Sequence, residues 1–96
     1  MEVYTIIYTM KGCPHCEHIK NVLTENNIDF IGRDIDDHES EYEDFKKQTG
    51  SDFVPAMLII EKEEEKYKPY FYVPEQHYNE IHEAVEIIKK HNSKVM

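Results

Sequence analysis

Apolar residues along this chain switch between a strand-like and a helix-like spacing, and the switches mark out seven elements. Val3 to Thr9 is dense in β-branched and aromatic residues, and its Ile6-Ile7 centre predicts a strand buried on both faces. Lys11-Gly12 breaks that run. Pro14 stands where the first turn of a helix accepts proline, because the missing N–H would have no partner there anyway. From Pro14 to about Asn27, Ile19, Val22 and Leu23 fall at helical spacing, and Asn26-Asn27 supplies a stop. Ile28 to Ile35 reads as a second strand, with Ile28, Phe30 and Gly32 pointing one way. Ser40 to Gln48 carries Tyr42 and Phe45 three apart and has Gly50 just past its end as a C-cap. Phe53 to Ile60 is the third strand. Tyr67 to Val73 is the fourth, and Pro69 suits it to a sheet edge. The spacing predicts a last helix from Pro74 to about His91, with Ile81, Ala84, Val85 and Ile88 on one face.

The predicted order is β-α-β-α-β-β-α, an α/β fold. The first strand, its crossover helix and the second strand make a right-handed parallel unit. Strands three and four make an antiparallel hairpin. The expected architecture is a mixed four-stranded sheet flanked by helices, with residues 1–96 forming a single domain.

The length of 96 residues suits one core and no more. No run approaches the ~20 apolar residues that a membrane helix needs, so no membrane partner is expected. Met1-Glu2-Val3-Tyr4 does not read as a secretion signal, and the expected location is a reducing cytoplasm. With 20 acids against 11 bases the net charge is −9, which disfavours nucleic acid as a partner and is explained by solubility. The biased run Glu61-Lys62-Glu63-Glu64-Glu65-Lys66 reads as a solvated turn between strands three and four. Alternation on an edge strand accounts for the tyrosines of 67–72, and His77, His82 and His91 carry no separate signal. The expected form is a monomer.

Two cysteines three apart in a reducing compartment point to redox chemistry or metal binding rather than a structural staple. In Cys13-Pro14-His15-Cys16 the first sulfur falls at a strand-to-helix junction. Unpaired N–H groups and the helix dipole favour negative charge there, and the thiolate is the nucleophile. The second cysteine lies one turn in and is more covered. Cys13 is therefore expected to attack and Cys16 to resolve the mixed disulfide. Pro14 stiffens the turn, and His15 can offer a hydrogen bond or a positive charge to the Cys13 sulfur. Both tune the thiolate, and Cys13 is expected to ionise below the ordinary thiol value of about 8.5. His18 reads as helix surface. The competing use of Cys13, His15, Cys16 and His18 is a metal or iron–sulfur carrier site. A zinc site, however, ordinarily draws its ligands from two separated segments, so no metal is expected.

Val54-Pro55 lies about 40 residues further on, at the start of a strand. A cis proline there leaves the Val54 N–H and C=O free to pair with an extended peptide or a glutathione backbone. Tyr8-Thr9, Gly12-Cys13-Pro14-His15-Cys16, Thr49-Gly50 and Val54-Pro55 together resemble the glutaredoxins of the thioredoxin-like fold superfamily, over Val3 to about Ile60. The resemblance implies a dithiol that reduces protein disulfides or glutathione mixed disulfides. It implies no permanently bound cofactor, and glutathione or a thioredoxin reductase as the electron source. Disulfide-bearing clients, ribonucleotide reductase among them, are its implied partners. It also implies that Tyr8 lies near the sulfur, that Val54 and Pro55 border the glutathione groove and that Gln48 helps hold a glutathione carboxylate, with Lys11 the candidate substitute for the family's basic residue in glutathione binding.

Three features depart from the family pattern. The end of the fourth strand reads Tyr72-Val73-Pro74-Glu75-Gln76, without the usual glycine pair and following acidic pair. The family's basic residue three before the first cysteine is Met10 here, with Lys11 one place later. The central dipeptide is Pro-His where Pro-Tyr is usual. Iron–sulfur glutaredoxins typically lack the intervening proline, so Pro14 counts against a cluster.

Overall fold

The computed structural model describes residues 1–94. Its elements are β1 (Glu2–Thr9), α1 (Pro14–Glu25), β2 (Ile31–Asp34), α2 (Glu39–Thr49), β3 (Ala56–Glu63), β4 (Lys66–Tyr72) and α3 (Ile81–Asn92). The sheet order is β2-β1-β3-β4, with β1 parallel to β2 and the other two pairings antiparallel. The mixed four-stranded sheet is the one the residue pattern predicts. Pro69 sits on the edge strand opposite Ile60, where its lack of an N–H removes no inner ladder bond.

β1 occupies the sheet centre because it is apolar on both sides of its pleat. Ile7 points into a core built with Ile19 and Leu23 of α1 and Ala84, Val85 and Ile88 of α3. Ile6 and Tyr8 point the other way, into a second core with Tyr42 and Phe45 of α2. The helices thus lie two on one face and one on the other. Ile7, Ile19, Leu23, Met57, Ile59 and Ile88 are all fully buried. Each contributes about 1.5–3 kcal/mol from burial alone.

Four boundaries differ from the sequence reading. Asn27 takes a positive φ of 58° and the Ile28 amide turns back to the Leu23 carbonyl at 2.9 Å. Ile28 is thereby drawn into helix termination, and β2 starts only at Ile31. Phe53 to Pro55 are not in a strand, and β3 starts at Ala56. The acidic run is not a loop as a whole. Glu61 to Glu63 extend β3, the turn is confined to Glu64-Glu65, and Lys66 opens β4. Finally, α3 begins at Ile81 rather than Pro74. Glu75 has φ 73°, its amide donates to the Tyr78 carbonyl at 2.7 Å, and residues 74–80 form a closed turn ahead of the helix.

Glu61 and His91 are also misjudged by composition. Glu61 is buried, and its carboxylate accepts from His91 Nδ1 and from Lys94 Nζ at 3.1 Å. The other imidazole nitrogen of His91 lies 2.7 Å from the Tyr72 hydroxyl. A buried carboxylate needs such partners, and the pair fastens the end of α3 to β3.

Candidate active site

Gly12, with φ 75°, turns the chain out of β1 and delivers Cys13 to the N-cap of α1. Cys13 is extended (φ −101°, ψ 105°), and Pro14 follows in the first turn. The Cys16 amide donates to Cys13 Sγ at 3.2 Å, so one of the helix's unpaired N–H groups is aimed at that sulfur. The two sulfurs are joined in a disulfide, with Cα atoms 5.2 Å apart. Cys13 is 8% exposed and Cys16 is wholly covered, so an incoming molecule meets Cys13 first.

The Val54–Pro55 peptide bond is cis. Tyr8 on β1 pairs with Ala56, the residue after Pro55, so the sheet register brings the start of β3 alongside the end of β1. Val54 is half-buried and Pro55 buried. The Pro55 carbonyl accepts a hydrogen bond from the Tyr78 hydroxyl.

A groove of about 480 Å³ opens beside this junction. Val22, Val54, Pro55, Pro74, Tyr78 and Ile81 give it an apolar surface, and His15, His18, His82, Asn79 and Glu80 supply polar groups. The structure therefore joins three of the sequence candidates, His15, Val54 and Pro55, in one concave site next to the cysteine helix. Tyr78, Pro74, Ile81 and Glu80 are walls that the sequence reading missed. Pro74, Tyr78 and Glu80 sit in the turn that it assigned to helix, and Ile81, which helical spacing places on the core face, opens α3 at the groove edge. His18 and His82, read as bland surface, also line the groove.

Three other candidates stand elsewhere. Tyr8 is 1% exposed, packed at a tilt against the rings of Tyr42 and Phe45, and its hydroxyl donates to Glu41. Burial and that bond push its phenol pKa up. The even-numbered face of β1 is simply the α2 side, so Tyr8 is turned away from the groove. Lys11 is exposed in the turn before Cys13, and Gln48 is exposed in the last turn of α2; neither lines the groove. The imidazole of His15 is directed to the groove rather than hydrogen-bonded to the Cys13 sulfur, which takes its bond from the Cys16 amide.

Several amides of the turn before α3 are bonded locally. Val73 N–H donates to His77 Nδ1 at 3.0 Å, and His77 N–H returns to the Val73 carbonyl at 3.1 Å. Glu83 Oε1 accepts from the Asn79 and Glu80 amides at 3.1 and 3.0 Å. The Glu80 carboxylate in turn accepts from the Glu83 amide, which completes a capping box built from two glutamates. Among the described residues no group of three or more His, Cys, Asp or Glu side chains is arranged to hold a metal ion. No helix among them is long and apolar enough to cross a membrane.

Comparison with known proteins agrees with this geometry. The family model described as Glutaredoxin matches residues 5–63. Glutaredoxin 3 of Escherichia coli K12 is 32% identical over 53 residues, covering 55% of this chain and 64% of that protein, just under two thirds of its length. Among solved structures, a thioredoxin from Trichomonas vaginalis aligns with TM-score 0.61 at 17% identity, over 92% of this chain and 78% of that one. A thioredoxin from Thermus thermophilus aligns with TM-score 0.58 at 9% identity, over 93% and 72% respectively. Those two likenesses establish a shared thioredoxin-like fold.

Proposed function

The chain belongs to the glutaredoxin family, and from that premise we propose that it is a thiol–disulfide oxidoreductase working through Cys13 and Cys16. The observation that carries the proposal is the Cys16 amide held 3.2 Å from Cys13 Sγ at the start of α1. That amide and the positive end of the helix dipole stabilise a thiolate more than a thiol.

In the reduced protein the Cys13 thiolate attacks one sulfur of a client disulfide. A Cys13–client S–S bond forms, the client S–S bond breaks, and one client sulfur leaves as a thiolate that takes up a proton. Cys16 then loses its proton and attacks Cys13 Sγ. The Cys13–Cys16 disulfide forms and the second client sulfur leaves. The client gains two electrons and the enzyme loses two. A thiol reductant, glutathione or the dithiol of a thioredoxin reductase, restores the pair. Val54 N–H and C=O lie just before β3, outside the ladder that begins at Ala56. They offer the client main chain a short strand-like pairing beside the sulfur. Disulfide-bearing proteins in the cytoplasm are the proposed clients.

Cys16→Ser is the decisive variant. It is expected to accumulate a covalent client adduct at Cys13, read as a mass increase that dithiothreitol reverses. Cys13→Ser is expected to give neither adduct nor turnover. Undiminished turnover by Cys13→Ser would remove the proposal.

A further inference from the structure

Resting on that oxidoreductase reading, we infer that His77 is a positioning residue for the client groove: its neutral imidazole holds the Pro74–Tyr78 wall in place by accepting the Val73 N–H, and a proton on that imidazole releases the wall. The β3–β4 ladder ends at the Met57–Tyr72 pair, so Val73 lies one residue beyond it. Val73 is wholly buried, and its amide is closed off from solvent. The acceptor for that amide is His77 Nδ1 at 3.0 Å. A buried N–H without an acceptor is costly. Because an N–H faces Nδ1, Nδ1 presents its lone pair and Nε2 carries the ring proton. A second proton can enter only at Nδ1. It occupies the lone pair and makes that nitrogen a donor, set against the Val73 N–H, which is also a donor.

That bond bears on the groove. Pro74 and Tyr78 line it and are bridged to each other across the turn. Tyr78, next in the chain after His77, carries the placement on to the Pro55 carbonyl. Backbone bonds also close the turn, from His77 N–H to the Val73 carbonyl and from Glu75 N–H to the Tyr78 carbonyl. Neither satisfies the Val73 N–H, and neither responds to a proton. The surrounding ionisable groups offer no substitute acceptor. On β4, the Tyr72 ring meets the imidazole edge-on at 5.4 Å between centroids, and the Tyr72 hydroxyl is engaged with His91 of α3. Glu75, Tyr78 and Glu80 are the ionisable residues of the same turn. Tyr78 is held by Pro55, while Glu80 is engaged with the Glu83 amide and lies 3.2 Å from His82 Nδ1. Among the described residues no carboxylate forms an ion pair with His77, whereas His38, His82 and His91 each have one.

The test uses the full chain, reduced, and measures the second-order rate at which a symmetric disulfide of a short cysteine peptide oxidises it. Hydrogen exchange of the Val73 amide is followed in parallel by NMR. His77→Asn sets a carbonyl oxygen near the place of Nδ1 and takes up no proton, whereas His77→Ala removes the acceptor. Parent and variants are compared at each pH between about 8 and 5, the range over which histidine changes charge. His15, His18 and His82 also line the groove, and Cys13 also ionises, but all four are common to the three proteins and cancel in the ratios. At about pH 8 the Asn variant is expected to match the parent, with the Ala variant about fivefold slower and its Val73 amide about tenfold less protected. Toward pH 5 the parent is expected to fall to about one fifth of the rate of the Asn variant and to lose Val73 protection with it. A parent-to-Asn ratio constant across pH, an Asn variant no faster than the Ala variant, or a Val73 amide as protected in His77→Ala as in the parent would overturn the inference while leaving the oxidoreductase reading intact. If His77→Ala does not fold, the parent and the Asn variant alone decide through the pH arm. Failure of the disulfide to oxidise the parent would remove the oxidoreductase reading, and the Val73 exchange, which needs no client, would still decide what His77 holds.

Discussion

The Tyr78 hydroxyl donates its hydrogen bond to the Pro55 carbonyl and so ties the turn before α3 to the segment before β3. These are the two walls of the groove that lie outside the cysteine helix. Tyr78 is 4% exposed, and burial pushes its phenol pKa up, so the hydroxyl is a donor at neutral pH. Tyr78→Phe leaves the Pro55 oxygen without this partner and keeps the ring. The expected cost is about 1–2 kcal/mol, measured as a lower urea midpoint at unchanged m-value. Because the groove wall loosens without touching either sulfur, client reduction should weaken through KM, with kcat close to that of the parent.

The Glu61–His91–Lys94 cluster predicts how acid affects the fold. Burial alone would raise the Glu61 pKa, but hydrogen bonds from His91 and Lys94 outweigh it and hold the carboxyl below its ordinary 4.5. A carboxyl with a lowered folded pKa stabilises the protein above its unfolded value, and that contribution drains away as pH falls through the folded one. Glu61→Gln should therefore cost about 2 kcal/mol near pH 7. The gap between parent and variant should close as pH drops below 4.5. Denaturant unfolding at several pH values reads this directly. A gap that is constant down to pH 3 would show that charge plays no part.

The contrast between Ile7 and His91 explains what was legible in the sequence. The doubled apolar core of β1, the helical spacing of α1 and the proline on β4 are local patterns, and each dictates its element without knowledge of the rest. The cysteine pair at a strand-to-helix junction is legible for the same reason. His91 and Glu61 lie 30 residues apart and meet only through the packing of α3 on β3. A charge run on a hairpin looks the same whether its first residue is solvated or buried. The resemblance that set Tyr8 near the sulfur does not say what its side chain packs on, and the pleat turns it to Tyr42 and Phe45 of α2. The groove walls at Pro74, Tyr78 and Glu80 were hidden by helical spacing that continues upstream of Ile81. Backbone hydrogen bonding stops at the Glu80–Glu83 box, and no periodicity reports that.

Gly12 offers a test of how narrowly the cysteine helix is positioned. Its φ of 75° lies in the left-handed region, while a Cβ built there meets nothing within 4 Å. Gly12→Ala thus isolates backbone preference from crowding. The expected loss is about 1 kcal/mol of stability. An unchanged unfolding midpoint would mean that the turn readily adopts another conformation.

The ionisation of Cys13 can be followed by alkylation of the reduced protein with iodoacetamide across pH. Only the thiolate reacts, so the rate traces its population. An isolated thiol is half-ionised at about pH 8.5. At Cys13 the Cys16 amide and the helix terminus both lower the energy of the charged sulfur, while Cys16, wholly covered, has no access to reagent. One residue should therefore be labelled, with a midpoint well below 8.5, and peptide mapping should place the label on Cys13. The amide is the main donor available, and it cannot be deleted by changing a side chain. Replacing Pro14 with glycine loosens the turn that aims it, and the midpoint should move back toward that of a free thiol. Labelling of both cysteines at the ordinary thiol midpoint would mean that the helix start does not ionise this sulfur, and the proposed exchange chemistry would lose its nucleophile.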